Sequence, residues 1–246
     1  MLDTYTILRL KYLIRHNKIF ILALCLVITI FSIMSYFIIK GLPIFIRSQK
    51  LISSSSYSYN QIINTFIQGN YQRGIVLLKE ALKNNPEDEA LKNLYALFTE
   101  KLLLNVKLHY YLGRKYYRTT TQITPSLILT PRDPYYLTVT PSRRCYLYIF
   151  QIDSLGKIEV LYPNKNFSSG GNPVMPGKLR IPDGFRWLKL DKTRGIETIY
   201  ILATPIENER LLNLSDSQLI EYLQSLDNAV KDLPGIAFKV YQFTHG

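Results

Sequence analysis

Residues 19–39 constrain this chain more than any other stretch: 21 residues with no charge, rich in Ile, Leu, Val and Phe. A bilayer core about 30 Å thick takes roughly 20 apolar residues as a helix, so the length fits one span. The apolar core of a secretory signal peptide runs to only about 7–15 residues and precedes a small-x-small cleavage site. Gly41-Leu42-Pro43 follows here instead. The expectation is an uncleaved signal anchor: a basic cytoplasmic tail at 1–18 and a transmembrane helix at 19–40.

The net charge of +12 is unevenly placed. Residues 1–121 hold 16 Lys and Arg against 6 Asp and Glu; residues 122–246 hold 14 against 12. Anionic headgroups attract basic side chains by about 1 kcal/mol each. The basicity therefore points to membrane lipid, and no nucleic acid is expected. Arg9, Lys11, Arg15 and Lys18 precede the apolar stretch, and Lys40, Arg47 and Lys50 follow it. These seven are the candidate membrane-surface contacts. Four cations before against three after favour a cytoplasmic N-terminus. The expected location is the inner (cytoplasmic) membrane, single-pass, with the C-terminal domain periplasmic or extracellular. Cys25 falls in the span and Cys145 beside a strand, so neither a disulfide framework nor a metal-type spacing is present.

After the spacer Ser53-Ser54-Ser55-Ser56-Tyr57-Ser58 the apolar period becomes helical. Ile62, Ile63, Phe66 and Ile67 form one stripe; Ile75, Leu78, Ala81 and Leu82 form a second. A third runs through Leu91, Leu94, Tyr95, Phe98, Leu102 and Val106 toward Gly113. That helix would be about 25 residues, or roughly 38 Å, long. Arg114-Lys115-Tyr116-Tyr117-Arg118 interleaves cations with aromatics. It suits phosphates, lipid headgroups or the solvated end of a helix, and the last is the expectation. The helical segment is placed at 53–118.

Gly69-Asn70-Tyr71, Gly74-Ile75, Leu78, Ala81-Leu82 and Pro86 resemble the second helix and exit of a tetratricopeptide repeat. The resemblance implies close helix packing at Gly74 and Ala81, and a protein-binding role in longer arrays. One copy is visible. Gln61 and Thr65 stand where the repeat usually carries large apolar residues.

From Leu127 the pattern turns to short β runs, and a β domain is placed at 125–246. Its centre is a hairpin. Tyr146, Tyr148, Phe150 and Ile152 share one strand face and Leu147 and Ile149 the other, so this strand is covered on both sides. Asp153-Ser154-Leu155-Gly156 reverses the chain, with Gly156 expected at positive φ. Ile158, Val160 and Tyr162 alternate with Glu159 on the return. Strands are expected within 185–190, 195–204 and 236–240, and Ser215 with Gln218 forms a capping box ahead of Leu219 and Leu223. The fold class read from the pattern is α+β: a membrane helix, a short tetratricopeptide-like segment, and a mostly antiparallel β domain, sandwich or barrel-like.

Pro131-Arg132-Asp133, Tyr146-Leu147-Tyr148 with Phe150, Asp153, Gly156, Leu161-Tyr162-Pro163-Asn164, Ile181-Pro182 and Gly195 before 199–203 come in a specific order. That ordered set is similar to a bacterial domain of unknown function found behind membrane spans in some serine/threonine protein kinases. The resemblance implies a compact, mostly β fold in a cell-envelope setting and brings no catalytic residues. Kinase motifs are absent from the sequence.

His16, His109 and His245 lie far apart, and no Gly-x-Ser-x-Gly elbow or phosphate loop occurs. Asp133, Asp153, Asp183 and Asp191 sit near turns, where Asp commonly fixes the bend. No catalytic, cofactor-binding or metal residue is assigned, and an enzyme is not expected. The sequence instead suggests a membrane-anchored scaffold, with a helical stalk and a β head that binds another envelope protein. The alternative is an envelope sensor or ligand-binding module using Tyr135, Tyr136, Tyr162 and Trp187. Nothing in the sequence fixes an oligomeric state.

Overall fold

The computed structural model describes residues 57–246. The tail 1–18, the span 19–40 and the cations Arg9, Lys11, Arg15, Lys18, Lys40, Arg47 and Lys50 lie outside the described residues. Among the described residues no helix is long and apolar enough to cross a membrane.

Three helices come first: α1 (Tyr59–Ile67), α2 (Tyr71–Asn84) and α3 (Glu89–Thr99). Ser58 opens α1 by accepting from the Gln61 amide, and the Gln61 side chain accepts from the Ser58 amide. This reciprocal cap satisfies two otherwise orphaned donors. Gly69, at φ +83°, lets the chain reverse. Gly74 then lets α2 close on α1, because a Cβ there would lie 2.5 Å from the Phe66 ring. Asp88 caps α3 by accepting from the amides of Ala90 and Leu91.

The third helix ends far earlier than its apolar spacing predicts. It stops at Thr99, and Glu100 is already extended. Strands β1 (Leu104–Leu112) and β2 (Tyr116–Thr120) replace its expected second half. The helical region thus closes at residue 99 rather than 118, and the β region opens at 104 rather than 125. Two periods compete here. Leu102 and Val106 continue the helical stripe, but Val106, Leu108 and Tyr110 also alternate with Lys107, His109 and Tyr111. Contacts from distant residues decide between them. Gly235 donates its amide to the Phe98 carbonyl, and Arg143 donates to the carbonyls of Leu97 and Glu100. From Leu104 onward β1 pairs antiparallel with β4 (Tyr135–Pro141).

The remaining elements are β3 (Ile128–Leu129), β5 (Tyr146–Ile152), β6 (Ile158–Tyr162), β7 (Leu179–Ile181), β8 (Gly195–Thr204), a 3-10 turn (Glu209–Leu212), α4 (Asp216–Val230) and β9 (Ala237–His245). A four-stranded antiparallel sheet runs β2-β1-β4-β7, and a five-stranded sheet runs β3-β9-β8-β5-β6. The five-stranded sheet is antiparallel except for the short β3–β9 pair.

The two sheets face each other over a core that includes Leu108, Leu137, Leu147, Ile149, Ile201 and Phe243. The other face of the five-stranded sheet carries Tyr148, Phe150 and Leu202 and packs on Phe66, Leu78, Phe98 and Leu223 of the helices. Helices, five-stranded sheet and four-stranded sheet therefore form three layers. The α+β class and a sandwich of sheets follow the sequence reading, and β5 is covered on both faces as its composition requires. The helices are no stalk. They share a core with the sheet and belong with it to one compact unit, Ser55–Gly246.

Turn and cap chemistry matches expectation where it is local. Gly156 sits at φ +82°, and the Asp153 carboxylate accepts from the amides of Leu155 and Lys157. Ser215 and Gln218 form the capping box of α4, whose buried stripe is Leu219, Leu223, Leu226 and Val230. Residues 185–190 form no strand; Leu188 alone bridges to Tyr135.

Candidate binding surface

Period-2 alternation sends one set of side chains from the four-stranded sheet into the core and the other set outward. Val106, Leu108, Leu137 and Val139 point in. His109 and Tyr111 of β1, Tyr117 and Thr119 of β2, Tyr136 and Thr138 of β4, and Arg180 of β7 share the outer face. Register aligns them, with His109 opposite both Thr119 and Tyr136, and Thr138 opposite Arg180. No helix of the described residues covers this face.

The cluster is tightly organised. The rings of His109 and Tyr136 stack at 4.3 Å between centroids. The Arg180 guanidinium also lies over the Tyr136 ring, 4.0 Å from its centroid. Trp187 meets Tyr136 edge-on at 4.9 Å and Tyr111 at 5.0 Å. Arg180 is held by the carbonyls of Pro182 and Arg186, so its position is fixed by the β7 loop. One nitrogen of His109 meets Tyr117 Oη at 2.7 Å and Thr119 Oγ1 at 2.9 Å; the other meets Thr138 Oγ1 at 3.0 Å. Burial, reinforced by Lys178, Lys107 and Arg180, lowers the His109 pKa below the usual imidazole value. Tyr117 remains 46% exposed, so an aromatic, positively charged surface is open to solvent.

The four aromatics singled out from sequence divide in two. Tyr136 and Trp187 meet on this outer face, half-buried. Tyr135 and Tyr162 are buried in the core between the sheets and offer no surface. Tyr135 shares the inward face of Leu137 and Val139, and its hydroxyl donates to Gln151 Oε1 at 2.5 Å. Tyr162 is turned inward by a register shift: Phe150 faces Val160 but Ile149 faces Tyr162, which leaves Leu161 as the extra residue of a bulge. Its hydroxyl donates to the Gly171 carbonyl. Sequence reasoning missed His109 and Tyr111 because it read their segment as helix, and it named Tyr117 only within the run 114–118, expected as a solvated helix end. The signal was present as the alternation Lys107, His109, Tyr111.

A second polar group closes one end of the sandwich. Gln151 Nε2 donates to Glu197 Oε2 at 2.8 Å, and His245 Nδ1 lies 3.3 Å from Glu197 Oε1. Burial raises the Glu197 carboxyl, against the lowering pull of Gln151 and His245. Beside it opens a cleft of about 350 Å³ whose walls include Asp153, Lys157, Lys189 and Asp191. The turn aspartates mostly serve their turns. Asp133 accepts from Thr130 and from the Gly113 amide, and Asp191 accepts from the Thr193 amide. Asp183 accepts from the Ser169 amide and pairs with Arg186, which holds its carboxyl at about 2. Among the described residues no group of three His, Cys, Asp or Glu side chains is placed to hold a metal ion.

The fold and surface define an α+β module with a β-sandwich and one open aromatic face. Residues 129–207, about a third of the chain, match the family described as a domain of unknown function (DUF4384). That stretch runs from the end of β3 past β8. It supplies Tyr136, Arg180 and Trp187; His109, Tyr111 and Tyr117 come from strands outside it. No curated protein and no solved structure matches the chain.

Proposed function

We propose that the chain is a membrane-anchored, non-catalytic interaction protein of the bacterial cell envelope. It binds a protein partner through the outer face of the four-stranded sheet. The observation that carries this reading is the outer-face cluster of half-buried Tyr111, Tyr136 and Trp187 with exposed Tyr117, and Lys107, Lys178 and Arg180 around it. Aromatic side chains and Arg are the residue types that most often anchor protein interfaces. The uncharged stretch at 19–39 supports the anchor. The likeness to domains carried behind membrane spans supports the envelope setting. The tetratricopeptide-like packing at Gly74 has a structural role in this reading, since α1 and α2 bury one face on the sheet.

Detergent-solubilised chain is expected to co-purify a partner. Trp187→Ala, and Lys107→Glu at an exposed neighbour, are expected to lose it. Recovery of the chain alone in several detergents would sink the reading. The cleft beside Glu197 favours a second reading, an envelope sensor for a small polar ligand. Ligand-induced thermal stabilisation that Glu197→Gln abolishes and Trp187→Ala leaves intact would favour it over the first.

A further inference from the structure

We infer that the tip of the β1–β2 hairpin binds the surface of an anionic membrane. The inference deepens the anchored reading above and rests on it for the presence of a bilayer nearby.

Alternation carries the first part of the argument. Tyr111 and Tyr117 lie on the outer sheet face, so the cross-strand pair Leu112 and Tyr116 belongs to the face that lines the core at Val106 and Leu108. At the tip that face is open among the described residues. Leu112 is 37% exposed and Tyr116 64% exposed. Arg118, on the same face, and Arg114 and Lys115, in the turn, are exposed as well. None of the three cations forms an ion pair among the described residues. Residues 101–132 contain six Lys and Arg and no Asp or Glu.

Backbone geometry carries the second part. Gly113 and Arg114 occupy the turn at φ +57° and +60°, and the Lys115 amide closes it on the Leu112 carbonyl. Left-handed backbone is costly for any residue with a Cβ, and Gly or Asn is the usual choice in such a turn. A cation stands at this strained position. The Asp133 carboxylate accepts from the Gly113 amide and ties the tip to the β3–β4 turn.

Leu112, Tyr116 and three cations outside any ion pair of the described residues fit a bilayer interface. Aromatic rings settle at headgroup level. Each basic side chain near an anionic leaflet raises affinity about fivefold, equivalent to about 1 kcal/mol. A soluble polyanion would match the cations and leave Leu112 in water.

The test uses the full chain in nanodiscs with brominated acyl chains, one set zwitterionic and one anionic, with Tyr116→Trp as probe and the wild-type Trp187 signal as background. Quenching of the new indole in anionic discs alone is expected. It should vanish at high salt, where screening shortens to about 3 Å at 1 M, and in Arg114→Glu/Lys115→Glu/Arg118→Glu. Circular dichroism checks that this variant folds; if it does not, Arg118→Gln and the salt titration carry the comparison. No quenching in anionic discs, or equal quenching in both sets, overturns the inference. So does displacement of the tip from anionic discs by soluble polyphosphate at equal charge, which would assign it to a polyanion. Failure of the chain to enter discs would count against the anchor instead, and the same probe read against brominated vesicles would then decide the tip alone.

Discussion

His109 joins three strands through one imidazole. Its ring is stacked on Tyr136, its two nitrogens engage Tyr117, Thr119 and Thr138, and cations surround it. Its pKa is lowered in the folded chain, so the unfolded chain binds a proton at a higher pH. Stability from this group is present above the ordinary imidazole value near 6.5 and falls as pH drops through it toward the lower folded value. Urea midpoints are expected to decline between about pH 7 and pH 5, and His109→Gln to flatten that decline. An unchanged slope would mean that another group titrates. Gly74 gives a second residue-level prediction. Gly→Ala inside a helix gains about 1 kcal/mol of propensity, but a Cβ 2.5 Å from the Phe66 ring adds overpacking of about 1–3 kcal/mol. Gly74→Ala should therefore lower stability, read as an earlier unfolding midpoint. The sequence exposed Gly74 through its neighbours, because the small residue and its partner stripe lie within ten positions. His109 stayed hidden because its partners lie on other strands.

At the scale of elements, local chemistry was legible and long-range chemistry was not. The Asp153–Gly156 turn, the Ser215 cap and the double-faced strand β5 each rest on residues adjacent in sequence. The end of α3 rests on Arg143 and Gly235, far along the chain. Arg143 Nη2 also reaches the Gly235 carbonyl, so one side chain ties α3 to the segment that leads into β9. Charged hydrogen bonds of this kind contribute about 1.5–3 kcal/mol. Arg143→Ala is expected to destabilise by about 2 kcal/mol and to speed amide exchange at the end of α3. Exchange unchanged there would show that the helix ends for another reason. Tyr162 teaches the same lesson on a strand, since one extra residue at Leu161 moved it off the face of Ile158 and Val160 and into the core between the sheets.

At the scale of the molecule, the helices and the sandwich share one core through Tyr148, Phe150 and Leu202. Helical circular dichroism and Trp187 fluorescence should therefore lose their native signals at the same denaturant concentration, as a cooperative unit requires. Two separated transitions would revive the picture of an independent stalk. Among the described residues the three-layer arrangement also leaves one sheet face without a helix, and the proposed function rests on that face. A photo-crosslinking side chain placed at Trp187 in living cells tests it most directly, with exposed Glu80 on α2 as the control. The account predicts a discrete adduct from position 187 that disappears on Lys107→Glu and is absent from position 80. Equal adducts from both positions, or none from 187, would contradict it.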